Sequence, residues 1–236
     1  MNQAKKQEVL ERAKVWMRQN ILPRHIKNTK KLSTLDEIKL NPFLWPYLAN
    51  FYLGNSEYYS LATVALLPRI LGTSITTTFG NQMQKLIVAV LDNASGSAVS
   101  GIDIEYIDGI DGRKKYCQLK SGPQALNKDD ITTIKNHFRT VQNLARINNL
   151  AIQQNDLVFA MVYGEPEECN SFVKKLAEDY EVYIGKEFWY RLTGYEEFYS
   201  DLSRAMAEDA ETIDSRELVK ETIEKLAKDI ETKYPK

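Results

Sequence analysis

The sequence predicts a mixed α/β fold: a central mixed β-sheet flanked by helices, with a helical N-terminal region. Three observations carry this. Residues 101–122 hold two apolar-alternating runs around an Asp- and Gly-rich turn, the pattern of a β-hairpin. Residues 156–163, Asp-Leu-Val-Phe-Ala-Met-Val-Tyr, form a nearly continuous apolar run, which suits a central strand buried on both faces. A helix at 166–179 and a strand at 181–184 then complete a strand–helix–strand unit.

The remaining elements follow from periodicity and punctuation. Val9, Ala13, Trp16 and Met17 stand at helical spacing, which predicts a helix over 2–19. Pro23 is expected to end or interrupt it. The stretch 24–40, with Arg24, His25, Lys27, Lys30 and Lys31, reads as basic and irregular. Residues 43–53 and 57–68 read as two short helices joined near Gly54-Asn55, with Trp45, Tyr47, Phe51 and Tyr52 in a core or a subunit interface. The hydroxyl-rich segment 73–79 precedes a helix at about 80–92 and suits its capping. That helix carries the apolar stripe Met83, Leu86, Ile87, Val90 and Leu91. After the hairpin, a Gly- and Pro-containing loop over 121–128 leads to a helix from Asp129 to about 148. Gly185 precedes a short helix with Phe188 and Trp189. A tail helix over 214–233 has Asp214 and Glu217 at capping-box spacing.

The hairpin carries the chemistry. With its turn centred between Ile110 and Asp111, Asp103 lies across from Gln118. Side chains alternate faces along a strand, so Asp103, Glu105, Gln118 and Lys120 share one face. Ile102, Ile104, Tyr106, Cys117 and Leu119 are expected on the other. A carboxylate, an amide and a lysine on one side of a hairpin can hold a divalent metal and a water. Asp108, Gly109, Asp111 and Gly112 read as turn formers. Neither His25 nor His137 has a partner at a spacing that marks a nucleophilic or zinc site, so no role is assigned to either.

An Asp, a short hairpin, then Glu or Gln, any residue and Lys resembles the core of the PD-(D/E)xK nucleases. Here it stands as Asp103 and Gln118-Leu119-Lys120. Four further segments extend the likeness: Asn41-Pro42-Phe43-Leu44, Leu71-Gly72-Thr73-Ser74-Ile75, Thr78-Phe79-Gly80-Asn81-Gln82 and Gly185-Lys186-Glu187-Phe188-Trp189. Together they resemble type II restriction endonucleases, most of all the PmeII-like group, over about residues 40–200.

The resemblance implies a restriction-endonuclease-like fold and a sequence-specific, Mg²⁺-dependent endonuclease acting on double-stranded DNA. It implies Asp103 and Gln118 as metal ligands, with the Leu119 carbonyl as a third, and Lys120 as the residue that orients the attacking water. Gln118 departs from the Glu of many members and leaves the site less anionic. The nearest candidates for a further ligand from the preceding helix are Gln82 and Gln84, and Glu105 is a weaker candidate. A homodimer, a cognate DNA methyltransferase and a prokaryotic cytoplasmic setting are implied in the same way. Residues 1–40 are expected as a basic helical arm that contacts DNA or a second subunit. Residues 41–236 would form the nuclease domain with its helical tail, unless the whole is a single domain. Lys30, Lys31, Thr77, Thr78, Arg113, Lys114 and Lys128 are candidates for DNA contact.

Composition bounds these readings. The chain has 236 residues, 43% hydrophobic and 27% charged, ordinary for a globular protein. No apolar run reaches transmembrane length. Two cysteines provide neither a disulfide framework nor a zinc spacing. The net charge is only −1, yet it is unevenly distributed. Residues 1–40 hold ten Lys/Arg against four Asp/Glu, whereas residues 165–236 hold eleven against nineteen. A basic arm could meet phosphates while the acidic tail faces away. Two other readings stand beside the first: a structure-selective repair or junction nuclease of the same fold, and a DNA-binding protein with impaired catalysis.

Overall fold

A computed structural model describes residues 2–123 and 126–235 of the chain. Within the expected loop at 121–128, Gln124 and Ala125 lie outside the described residues. In chain order the first elements are α1 (Gln3–Lys31), α2 (Trp45–Leu53), α3 (Tyr58–Pro68), α4 (Ile75–Val90), β1 (Ala94–Gly96), β2 (Ile104–Ile107) and β3 (Lys114–Lys120). Then come α5 (Lys128–Ile147), β4 (Leu157–Met161), α6 (Ser171–Ala177), β5 (Glu181–Ile184), α7 (Lys186–Thr193), α8 (Phe198–Ala210) and α9 (Arg216–Lys233).

The chain divides into two units. One holds the chain up to Trp16 together with Gly80–Glu208; the other holds Met17–Phe79 and the chain from Asp209 onward. The expected boundary at residue 40 falls inside the second unit.

The first unit is built on a five-stranded mixed sheet in the order β1-β2-β3-β4-β5. The β1–β2 and β2–β3 pairs are antiparallel; β3–β4 and β4–β5 are parallel. The hairpin register is the one that alternation predicts, with Ile104 opposite Cys117 and Glu105 opposite Tyr116. β4 is buried along its whole length, as its unbroken apolar run requires. One sheet face packs Leu157, Phe159 and Met161 with Ile134, Phe138 and Val141 of α5 and Val173 and Leu176 of α6. Away from that cluster, Tyr106 meets Phe188 of α7 edge-on, and Trp189 donates its indole N–H to the Val162 carbonyl at 2.8 Å.

Ile102 departs from its expected face. It is buried with Ile134 and Phe138, not with Ile104. Gly101 takes φ +83°, so the chain leaves the regular pleat just before β2 and the alternation does not extend back to residue 102. The small edge strand β1 and the helix α8 are features that the sequence pattern did not predict.

The second unit is helical, with Leu61, Ala62 and Leu66 of α3 packed against Ile223, Leu226 and Ile230 of α9. Three local expectations are corrected here. Pro23 does not end α1, which runs on to Lys31. Proline removes one N–H and crowds a carbonyl, at about 3 kcal/mol. Burial of Val9, Leu10 and Ala13 before it, and of Ile21 and Thr29 around and after it, offsets that loss. The hydroxyls of 73–79 do not cap a helix start, because the helical path already runs through a π-helical stretch at Arg69–Ser74. Thr76 and Thr78 instead bond back to the Gly72 and Ser74 carbonyls, each at 2.8 Å. Ser215, not Asp214, is the N-cap of α9, and Asp214 pairs with Arg216.

Candidate active site

The site forms at the C-terminal ends of the parallel strands β3 and β4, where ligands of open α/β sheets commonly bind. A cavity of about 220 Å³ opens there. Asp103, Leu119, Lys120, Ser121 and Val162 line it, along with Gly80, Asn81, Met83 and Gln84 at the middle of α4. Sheet pairing explains how Asp103 and Lys120, seventeen residues apart, reach one cavity.

Asp103 is anchored at two points. Its Oδ2 accepts the Leu119 N–H at 2.7 Å, and its own carbonyl accepts from Gln84 Nε2. Burial pushes its carboxyl above the ordinary aspartate range. The Leu119 N–H, and then the nearby Lys120 and His137, offset part of that rise. Lys120 is about one-third exposed and donates to Asp130 Oδ1 at 3.2 Å.

Asp130 belongs to the capping box of α5. Asn127 Oδ1 accepts from the Asp129 and Asp130 amides, and Asp130 Oδ2 accepts the Asn127 N–H at 2.9 Å. That N–H, against the effect of burial and with help from Lys120, holds the Asp130 carboxyl below its usual range. One carboxylate therefore ties the start of α5 to the lysine at the end of β3.

Gln118 does not line the cavity. Its Nε2 lies 3.0 Å from His137 Nδ1 on α5, and its Oε1 is buried without a hydrogen-bond partner among the described residues. Glu105 is taken up elsewhere: it accepts from Ser97 Oγ at 2.6 Å and pairs with Lys114 at 2.6 Å.

None of the seven residues expected to touch DNA lines the cavity. Lys30 and Lys31 are exposed in the last turn of α1. Thr77 is exposed on α4, while Thr78 is buried and bonded to the Ser74 carbonyl. Arg113 donates to Asp156, with Nε at 2.7 Å from Oδ1, and Lys114 is held by Glu105. Lys128 is exposed at the first position of α5.

Sequence reasoning did not single out Asp130, and it assigned His137 no role. A signal for both was present: Asn127 and Asp130 have capping-box spacing, and Asp130 and His137 stand two helical turns apart beside the apolar stripe of Ile134, Phe138 and Val141.

The chain was also compared with known proteins. The family model for type II restriction endonuclease EcoO109I matches residues 11–214. The chain belongs to that family. A search of curated proteins found no match. As a type II restriction endonuclease it is a DNA-binding hydrolase, an enzyme of restriction–modification systems in which a cognate methylase typically accompanies the nuclease. The five-stranded mixed sheet with flanking helices and an N-terminal helix agrees with a restriction-endonuclease-like fold. Among the described residues, no helix is long and apolar enough to cross a membrane.

Proposed function

We propose that this restriction endonuclease is a PD-(D/E)xK enzyme that cleaves a specific double-stranded DNA sequence with Mg²⁺, using Asp103, Gln118 and Lys120. One observation carries the reading: Asp103, Leu119 and Lys120 line a single cavity at the strand ends. The similarity of the segments around Asn41, Leu71, Thr78 and Gly185 favours the PmeII-like group within that superfamily.

The donor set suits a hard cation. Asp103 would supply a carboxylate at the cavity and Leu119, which also lines it, its carbonyl; Gln118, outside the lining, would add a buried oxygen that has no hydrogen-bond partner among the described residues. Mg²⁺ takes few protein oxygens and keeps several waters, so this sparse set fits it. When bound, Mg²⁺ supplies Lewis-acid polarisation of the phosphodiester. Lys120 would hold the attacking water and stabilise negative charge that develops on the phosphate. Asp130 would fix where the Lys120 ammonium sits.

A homodimer reading a two-fold symmetric site completes the proposal. Phe43, Tyr47, Phe51 and Tyr52 present a largely exposed aromatic surface at and beside α2, which a second copy would cover. A cognate methyltransferase would protect the same site in the host.

The test is digestion of a long unmethylated DNA with Mg²⁺. Wild type should yield discrete fragments, while Lys120→Ala and Asp103→Asn should cut at least about 100-fold more slowly yet still shift DNA in gels. Wild-type rates from Lys120→Ala would remove it from the chemistry. The amide at Gln118 favours a second reading, an impaired DNA-binding protein. Binding without cleavage by wild type and by Gln118→Glu alike would move the conclusion there.

A further inference from the structure

Gln118 raises a problem that a glutamate in its place would not. A carboxylate offers oxygen at both ends, whereas a carboxamide offers oxygen at one and an NH₂ at the other. The two ends exchange by a half-turn of the amide at little steric difference. A cation accepts only the oxygen, so a glutamine ligand needs a neighbour that settles which end faces outward.

Such a neighbour is present. His137 Nδ1 lies 3.0 Å from Gln118 Nε2, and Gln118 Oε1 is left buried without a partner among the described residues. The imidazole is confined. Gly101 lies against it so closely that a Cβ there would come within 2.2 Å of the ring. Ile134 and Phe138, on either side along α5, are buried in the sheet cluster and hold the helix in place. The ring therefore sits wedged between the segment that leads into Asp103 and the amide of Gln118.

We propose that His137 is a positioning residue of the metal site: its Nδ1 accepts the Gln118 Nε2–H and so presents Oε1 as the oxygen donor to a hard divalent cation. This rests on the reading of Gln118 as a metal ligand. The tautomer required carries its proton on Nε2. Partners that orient a metal-binding side chain in this way typically change metal affinity 10- to 100-fold when removed.

Two substitutions at His137 separate positioning from packing. His137→Phe keeps a planar ring against Gly101 and loses the acceptor. His137→Asn loses the ring and keeps an oxygen near the place of Nδ1. Affinity is read on the full-length protein with Mn²⁺ as the probe, followed by electron paramagnetic resonance, and by the Mg²⁺ concentration that half-saturates cleavage. Positioning predicts about a tenfold or greater loss of Mn²⁺ affinity in His137→Phe and affinity within about threefold of wild type in His137→Asn. Adding Gln118→Glu to His137→Phe should restore binding, because a carboxylate needs no orientation. Unchanged affinity in His137→Phe, or a loss that Gln118→Glu does not relieve, overturns the proposal. Should His137→Phe fail to fold, His137→Asn decides: a tenfold loss not relieved by Gln118→Glu overturns it as well. If Gln118→Leu leaves Mn²⁺ affinity unchanged while Asp103→Asn abolishes it, Gln118 is no ligand. The role of His137 then falls while the metal reading of Asp103 stands. If wild type binds no Mn²⁺, both readings fall together.

Discussion

Lys115 and Asp156 are nearly sealed from solvent, at 1% and 3% side-chain exposure. Lys115 Nζ donates to Asp111 Oδ2 at 2.6 Å and to the Asn155 carbonyl at 3.0 Å, and Asp156 takes the Arg113 guanidinium. This network pins the hairpin turn to the start of β4, next to the strand that carries Gln118 and Lys120. Burial alone would raise the Asp156 carboxyl. Arg113, the Gln153 N–H and Lys115 together hold it below its ordinary value. A carboxylate with a lowered folded pKa stabilises the fold fully above its unfolded pKa of about 3.9, and that contribution is lost as pH falls through the folded value. Asp156→Asn should therefore lose about 1–3 kcal/mol at pH 7, since Arg113 and Lys115 lose a charged acceptor while Lys115 keeps its bond to Asp111. Urea unfolding at pH 7 and at about pH 3 measures it. The gap between the two proteins should narrow at the lower pH, and an unchanged gap would refute the argument.

At the scale of the element, α5 connects stability with the site. Asn127 caps its first turn through two backbone amides, and Asp130 in the same box reaches Lys120. Asn127→Ala should lower stability by about 1 kcal/mol in urea unfolding. An effect near zero would mean that water replaces the cap. Element prediction succeeded where a pattern is repeated and local. The hairpin, the buried strand β4 and the helices at 45–53 and 58–68 all follow from period-2 alternation, an apolar run or a Gly-Asn break. It failed where distant burial outweighed a local signal. Pro23 is a helix breaker in isolation, but not in a helix with buried residues on both sides of it.

Over the whole molecule, the exposed aromatics and the uneven charge stand out. Phe51 is 77% exposed and Phe43 is 89% exposed, unusual for large aromatic residues. The homodimer reading predicts that Phe51→Lys shifts the protein toward monomer in sedimentation velocity, with monomer stability changed by no more than about 0.5 kcal/mol. Sedimentation identical to wild type would remove this face from the interface.

The sequence by itself determined the hairpin register over β2, with Ile104 opposite Cys117, and with it the place of Lys120 at the end of a strand. Side-chain alternation is a local property of the backbone, so a turn and two flanking runs are enough to specify it. The tertiary structure alone decided that Ile102 joins the opposite face, that Glu105 is occupied by Ser97 and Lys114, and that Asp130 and His137 attend Lys120 and Gln118. The places of Asp130 and His137 depend on which strand α5 meets. The apolar stripe of Ile134, Phe138 and Val141 marks the inward face of α5 locally, but only its packing against β4 and α6 brings that face beside Gln118 and Lys120.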